Sequence, residues 1–105
     1  MSNTSIAFTT ILFLVLSLGA SAEDLRIGMI GLDTSHCGAF TKLLNDPADA
    51  QHVAGGKVVA AFKGGSADIE SSYSRVDGYT KELQEKFGVK IYDTIEEMCK
   101  NVDAV

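Results

Sequence analysis

Six consecutive residues, Gly31-Leu32-Asp33-Thr34-Ser35-His36, concentrate the chain's options for chemistry. Gly31 lets the backbone turn sharply out of an apolar run, and the helix read after it aims its unpaired N–H groups back at the turn. Such a turn suits an anion. Asp33, Ser35 and His36 also form a polar set able to hold the hydroxyls of a sugar or polyol. The plain structural roles for these residues are helix capping by Thr34 or Ser35, a charge–dipole contact from Asp33, and a solvated His36. No metal is expected, because Asp33 and His36 lack a third and fourth ligand. Cys37 falls in the first helical turn, where the dipole lowers a thiol pKa, although packing is the commoner role for a cysteine so placed. His52, in a polar loop, reads as a surface residue.

Strand and helix alternate around these residues. Leu25 to Ile30 (LRIGMI) is a short apolar run consistent with a strand buried on both faces. From Ser35 to Asn45 the apolar residues Cys37, Phe40, Leu43 and Leu44 recur at helical spacing, and Asp46-Pro47 stops the helix. Lys57 to Phe62 (KVVAAF) reads as a second buried strand, and Gly64 to Gly78 as a long loop. Tyr79, Leu83 and Phe87 lie one helical turn apart, Glu82 and Lys86 are spaced for an ion pair, and Gly88 suits the helix end. Val89 to Tyr92 is a third short strand. Thr94-Ile95-Glu96-Glu97 forms a capping box that opens a helix with Ile95, Met98, Cys99 and Val102 on one face. Asp103-Ala104-Val105 opens a fourth strand.

This order predicts a doubly wound α/β fold with a parallel sheet and right-handed crossovers. Ligands of such sheets bind beyond the carboxyl ends of the strands, at the switch point beside the first strand, which here is Gly31 to His36. A Cys37–Cys99 disulfide is not expected, because the helices carrying the two thiols cover opposite faces.

Composition narrows the partners. Nine Lys+Arg against 14 Asp+Glu give a net charge of −5, so the clustered positive charge that nucleic acid requires is missing. Charged residues at 22% and hydrophobic ones at 46% describe a globular chain. No charged side chain precedes Glu23, Ile6 to Leu18 is almost wholly apolar, and Ala20-Ser21-Ala22 has the small-x-small pattern of a cleavage site. Residues 1–22 therefore read as a cleavable signal peptide of an exported protein, with an N-terminal membrane anchor as the alternative. The mature part, 23–105, would be one small domain whose core alone confers marginal stability.

RIGMIGLDTSHCGAFTKLL, then KVVAAF, then KFGVKIYDTIEEMCKNVDAV, resembles the N-terminal half of the Gfo/Idh/MocA family of NAD(P)-dependent oxidoreductases. The resemblance spans Arg26 to Val105, and Tyr92 to Val105 is its most specific part. It implies a Rossmann-like NAD(P)-binding domain, incomplete at about four strands. It also implies a site formed by Gly31, Leu32, Asp33, Thr34, Ser35, His36 and Lys63. Gly31 matches the first glycine of G-x-G-x-x-G, whereas Asp33 and His36 stand where the family has its second and third. Lys63 stands where NAD binders carry an acid for the ribose; it reads either as a contact for a 2′-phosphate, hence NADP, or as a solvated strand end, so the cofactor is NAD or NADP. The family's catalytic lysine and its substrate domain have no counterpart here, so no catalytic residue is assigned. The chain is expected to be a cofactor-domain fragment, unable by itself to carry out hydride transfer.

Two other readings compete. Export favours a non-enzymatic sugar- or polyol-binding module using Asp33, Ser35 and His36, since a chain secreted unfolded carries no dinucleotide with it. The other is a gene fragment with no independent activity.

Overall fold

The computed structural model describes residues 23–105; the expected signal peptide, 1–22, lies outside the described residues. Three parallel strands, β1 (Leu25–Ile30), β2 (Gly56–Phe62) and β3 (Lys90–Tyr92), form a sheet in the order β1-β2-β3. Four helices alternate with them: α1 (Ser35–Asn45), α2 (Glu70–Tyr73), α3 (Val76–Phe87) and α4 (Ile95–Cys99). The molecule is thus an α/β protein. None of these helices is long and apolar enough to cross a membrane.

The core lies between the sheet and the α1/α3 pair. Leu32, Cys37, Val58, Ala61, Leu83 and Val89 are buried there, with Ile27, Met29, Leu44, Tyr79, Phe87 and Ile91 packed against them. The other face is covered by α4, whose Met98 lies so close to Gly28 that a Cβ there would be 3.0 Å from Met98 Cε. Cys37 and Cys99 accordingly sit on helices covering different faces, and both thiols are free.

Helix α1 turns Cys37 and Leu44 of the expected stripe toward the core but leaves Phe40 outside. Cys37, Gly38 and Thr41 are its buried residues, while Phe40 is 52% exposed and stacks on His36, one turn earlier, at 5.7 Å. Thr41 Oγ1 donates to the Cys37 carbonyl at 2.6 Å, and Thr80 Oγ1 of α3 donates to the Val76 carbonyl at 2.7 Å. Each hydroxyl is satisfied within its own helix, so threonine can stand at a buried helix face without an unpaired polar group.

A register irregularity organises β2. Ile27 pairs with Val58 but Gly28 with Ala60, leaving Val59 as an extra residue. The bulge puts both Val58 and Ala61 into the core, an odd separation that strict alternation forbids. β3 reaches β2 only from Ala60 onward. At Val58 the place of a strand is taken by the Asn45 side chain, whose Nδ2 donates to the Val58 carbonyl while Oδ1 accepts from the Val58 N–H, both at 2.8 Å.

Two expectations need correction. β1 is not buried on both faces: Leu25 and Ile30, at the two ends of the strand and on opposite faces, are 55% and 46% exposed. The stretch 64–78 is not all loop either. It contains α2 and the first turn of α3, a four-residue helix being too short to display a periodicity.

Beyond α4 the chain returns to the outer edge of β1. Ala104 makes an isolated parallel bridge to Ile27, Gly28 N donates to the Ala104 carbonyl at 2.8 Å, and Asp103 N donates to the Arg26 carbonyl at 2.7 Å. Asp103 clamps this attachment, its Oδ1 accepting from Arg26 Nη2 at 2.9 Å and its Oδ2 from the Arg26 backbone N–H at 2.8 Å. The Arg26 side chain, chiefly by hydrogen bonding, holds the Asp103 carboxyl below its ordinary value of 3.8. A carboxyl whose folded pKa is depressed stabilises the fold above its unfolded pKa, and that contribution disappears as pH falls through the folded value. The attachment should therefore persist from neutral pH down to about pH 4 and loosen below it. Gly28 and Ala104 amide shifts followed by NMR would report this, and D103N should abolish the dependence. Shifts unchanged from pH 6 to about pH 2 would contradict it.

Candidate functional site

Gly31 leaves β1 with φ +92°, in the region that favours glycine, and the next residues enter α1 within one turn. Two hydrogen bonds fasten this turn to the end of β2: Gly31 N to the Phe62 carbonyl at 3.0 Å and Leu32 N to the Lys63 carbonyl at 2.8 Å. Leu32 is fully buried. Its N–H and its side chain are both committed to the fold, so its part in a site is to position the turn.

The chain after β2 makes a second glycine turn against the first. Gly64 has φ +60° and Gly65 φ +90°, and a Cβ on Gly64 would lie 3.2 Å from Gly31 Cα. A Cβ on Gly31, by contrast, would meet nothing within 4 Å, which leaves open room over the first turn.

Asp33 is drawn toward this second turn. Its Oδ2 accepts from Ser72 Oγ at 2.9 Å, and Ser72 Oγ in turn accepts from the Ser66 N–H at 2.7 Å. Ser72 is buried, so one hydroxyl of α2 ties the β1 turn to the β2 loop. Thr34 occupies the N-cap position of α1 without a side-chain capping bond, its hydroxyl lying 3.3 Å from His36 Nδ1 instead. Ser35 and His36 are exposed. The structure therefore brings Gly31, Asp33 and Lys63 to one end of the sheet, with Thr34, Ser35 and His36 on the first turn of α1.

The open volume lies one strand away from the Gly31 turn. A cleft of about 440 Å³ opens beyond the ends of β2 and β3, where Lys63, Ser66, Tyr73, Asp77 and Tyr92 line its mouth. Of the residues expected at the site, Lys63 alone lines this cleft. Its Nζ donates to Asp77 Oδ1 at 2.7 Å. Ser72, Asp77 and Tyr73 escape a reading along the chain because they lie in the stretch taken as loop. Tyr92, read along the chain only as the end of a short strand, lies with Lys90 Nζ 4.9 Å from its ring centroid. Among the described residues no three His, Cys, Asp or Glu side chains converge.

Cys37 is not an activated thiol. It is buried and donates to the Thr34 carbonyl at 3.0 Å, and burial pushes its pKa above the ordinary 9.0, outweighing the helix dipole. Cys99 is exposed. In native protein at pH 8 a thiol reagent should label Cys99 at once and Cys37 only after denaturant is added, as peptide mapping would show. Equal labelling rates would contradict the burial argument. His52 is likewise no plain surface residue, since it is half-buried and its Nδ1 lies 2.8 Å from the Leu43 carbonyl.

No protein-family description matches the chain, and neither a curated protein nor a solved structure does.

Proposed function

We propose that residues 23–105 form a Rossmann-like domain that binds NAD or NADP, of the kind that serves Gfo/Idh/MocA-like oxidoreductases as their cofactor half. The observation that carries this reading is the return of the chain to the outer edge of β1 at Ala104. Strands laid out as β3-β2-β1 with a parallel neighbour added beyond β1 create a switch point beside β1, where open α/β sheets receive nucleotides. The Gly31 turn and the first turn of α1 stand there.

The residues fit such a ligand. The pyrophosphate would lie over Gly31 and the N–H groups at the start of α1, with Thr34 and Ser35 hydroxyls beside it. The adenosine end would reach the cleft past Lys63. A bound nicotinamide would supply hydride chemistry; this chain's residues bind and orient the cofactor. Asp33, beside the Gly31 turn, opposes the pyrophosphate. Its charge repels a pyrophosphate by about 1 kcal/mol in water-like surroundings.

Titration of folded protein with NADH and NADPH tests the reading. Asp33→Asn keeps the acceptor for Ser72 and removes the charge, so it should tighten binding about fivefold. A sugar or polyol site would give the opposite sign, because hydroxyl ligands need the carboxylate as acceptor. If circular dichroism shows folded protein and neither dinucleotide changes its Tm at millimolar concentration, the proposal fails.

A further inference from the structure

We infer that the ribose of the nucleotide meets an ion pair at the cleft, not a lone cation, and that the site consequently prefers an unphosphorylated ribose to a 2′-phosphorylated one. The inference deepens the nucleotide reading and rests on it. Lys63 immediately follows β2, the place where nucleotide-binding α/β sheets meet the ribose. Taken alone, a lysine there favours a 2′-phosphate. The fold does not leave it alone: Asp77, in the first turn of α3, accepts from Lys63 Nζ at 2.7 Å, and both residues line the cleft.

Asp77 is 14 residues further along the chain, and α2 with its following turn carries α3 to the cleft. The Lys63 backbone is pinned by Leu32 N, so only the lysine stem is left to move. Lys63 is the one cation among the described residues lining the cleft, against the two carboxylates Asp77 and Asp93. A dianionic phosphate would enter a lining that is already net negative. A ribose diol instead finds a donor in the remaining Nζ protons and an acceptor in Asp77, whose side chain is 87% exposed and thus able to turn toward it. Asp77 is on this argument a specificity residue supplied by a helix rather than by the strand end.

The test uses two probes that differ at the 2′ position, adenosine 5′-monophosphate and adenosine 2′,5′-bisphosphate, titrated calorimetrically into the protein at low ionic strength. The unaltered protein should bind the monophosphate at least as tightly. Asp77→Asn frees Lys63, and should raise affinity for the bisphosphate about three- to fivefold while changing the monophosphate by less than about twofold, the range expected of an exposed pair. Adding Lys63→Gln to D77N should erase the gain. An affinity ratio unmoved by D77N, or an original preference for the bisphosphate of about twofold or more, overturns the inference while leaving nucleotide binding intact. Folded protein that binds neither probe nor NADH or NADPH overturns the nucleotide reading itself, and the inference with it.

Discussion

Asn45→Leu is expected to lower the unfolding free energy by about 2–6 kcal/mol, because it orphans two buried backbone groups at once, each costing about 1–3 kcal/mol. Asn45 closes α1 and offers its amide to both the N–H and the carbonyl of Val58. Val58 is almost wholly buried and lies beside the extra residue Val59, below the point where β3 begins to pair. Leucine has a similar volume, so it would hold water away from those groups without replacing either bond. In a domain whose total stability is of order 5–15 kcal/mol, a loss of that size is a large fraction. Urea unfolding would measure it. A midpoint unchanged from the original protein would show that solvent or a neighbour satisfies Val58, and that Asn45 does not stand in for a strand.

Gly64→Val should be comparably damaging, for a different reason. Gly64 has φ +60°, where a residue with a Cβ costs about 1–2 kcal/mol and a β-branched one more. Its Cβ would also press on Gly31 at 3.2 Å from Cα and 3.4 Å from N. Those are backbone atoms fastened to β2, so they cannot rotate aside, and overpacking of this kind adds about 1–3 kcal/mol. A combined loss of about 2–5 kcal/mol follows. The strain would also lift the Gly31 turn away from the sheet end, so under the proposed nucleotide-binding function NADH affinity should fall in whatever protein remains folded. Gly78→Ala is the contrasting substitution: nothing lies within 4 Å of its Cβ position, and alanine should stabilise α3 by up to about 1 kcal/mol. Equal and small Tm changes for the two variants would remove the argument that the glycine turns touch.

These two effects mark where a reading of the chain stops. The local elements were legible: β1 and α1 fall where an apolar run, a glycine and an Asp-Pro stop put them. Gly88 adopts φ +64° at the end of α3, Lys86 and Glu82 lie 3.6 Å apart, and Thr94 Oγ1 accepts from Glu97 N at 3.1 Å. Each depends on residues no more than a turn or two away. The Phe40 error has the same scale. Spacing alone assigns an apolar helix residue to the core, but the packing of α1 in the fold selects Cys37, Thr41 and Leu44.

The candidate site was legible only along one strand-turn-helix. Gly31 and the start of α1 were visible because their signals are consecutive. Asp33 meeting Ser72 across 39 residues was not, nor was Lys63 meeting Asp77. Both partners came from a stretch whose Gly, Ser and Asp content signals loop.

By itself the amino-acid order determined the α/β alternation, the sharp turn after β1 and the net charge of −5. Only the tertiary structure decided which turns touch, which carboxylate restrains the lysine at the cleft, and where β2 bulges. The physical reason is that helices and turns are set by torsional preferences and contacts within a few residues. Strand register and side-chain partners across the sheet are set by which distant groups the fold leaves without a hydrogen bond, and Asn45 beside Val58 is the plainest instance.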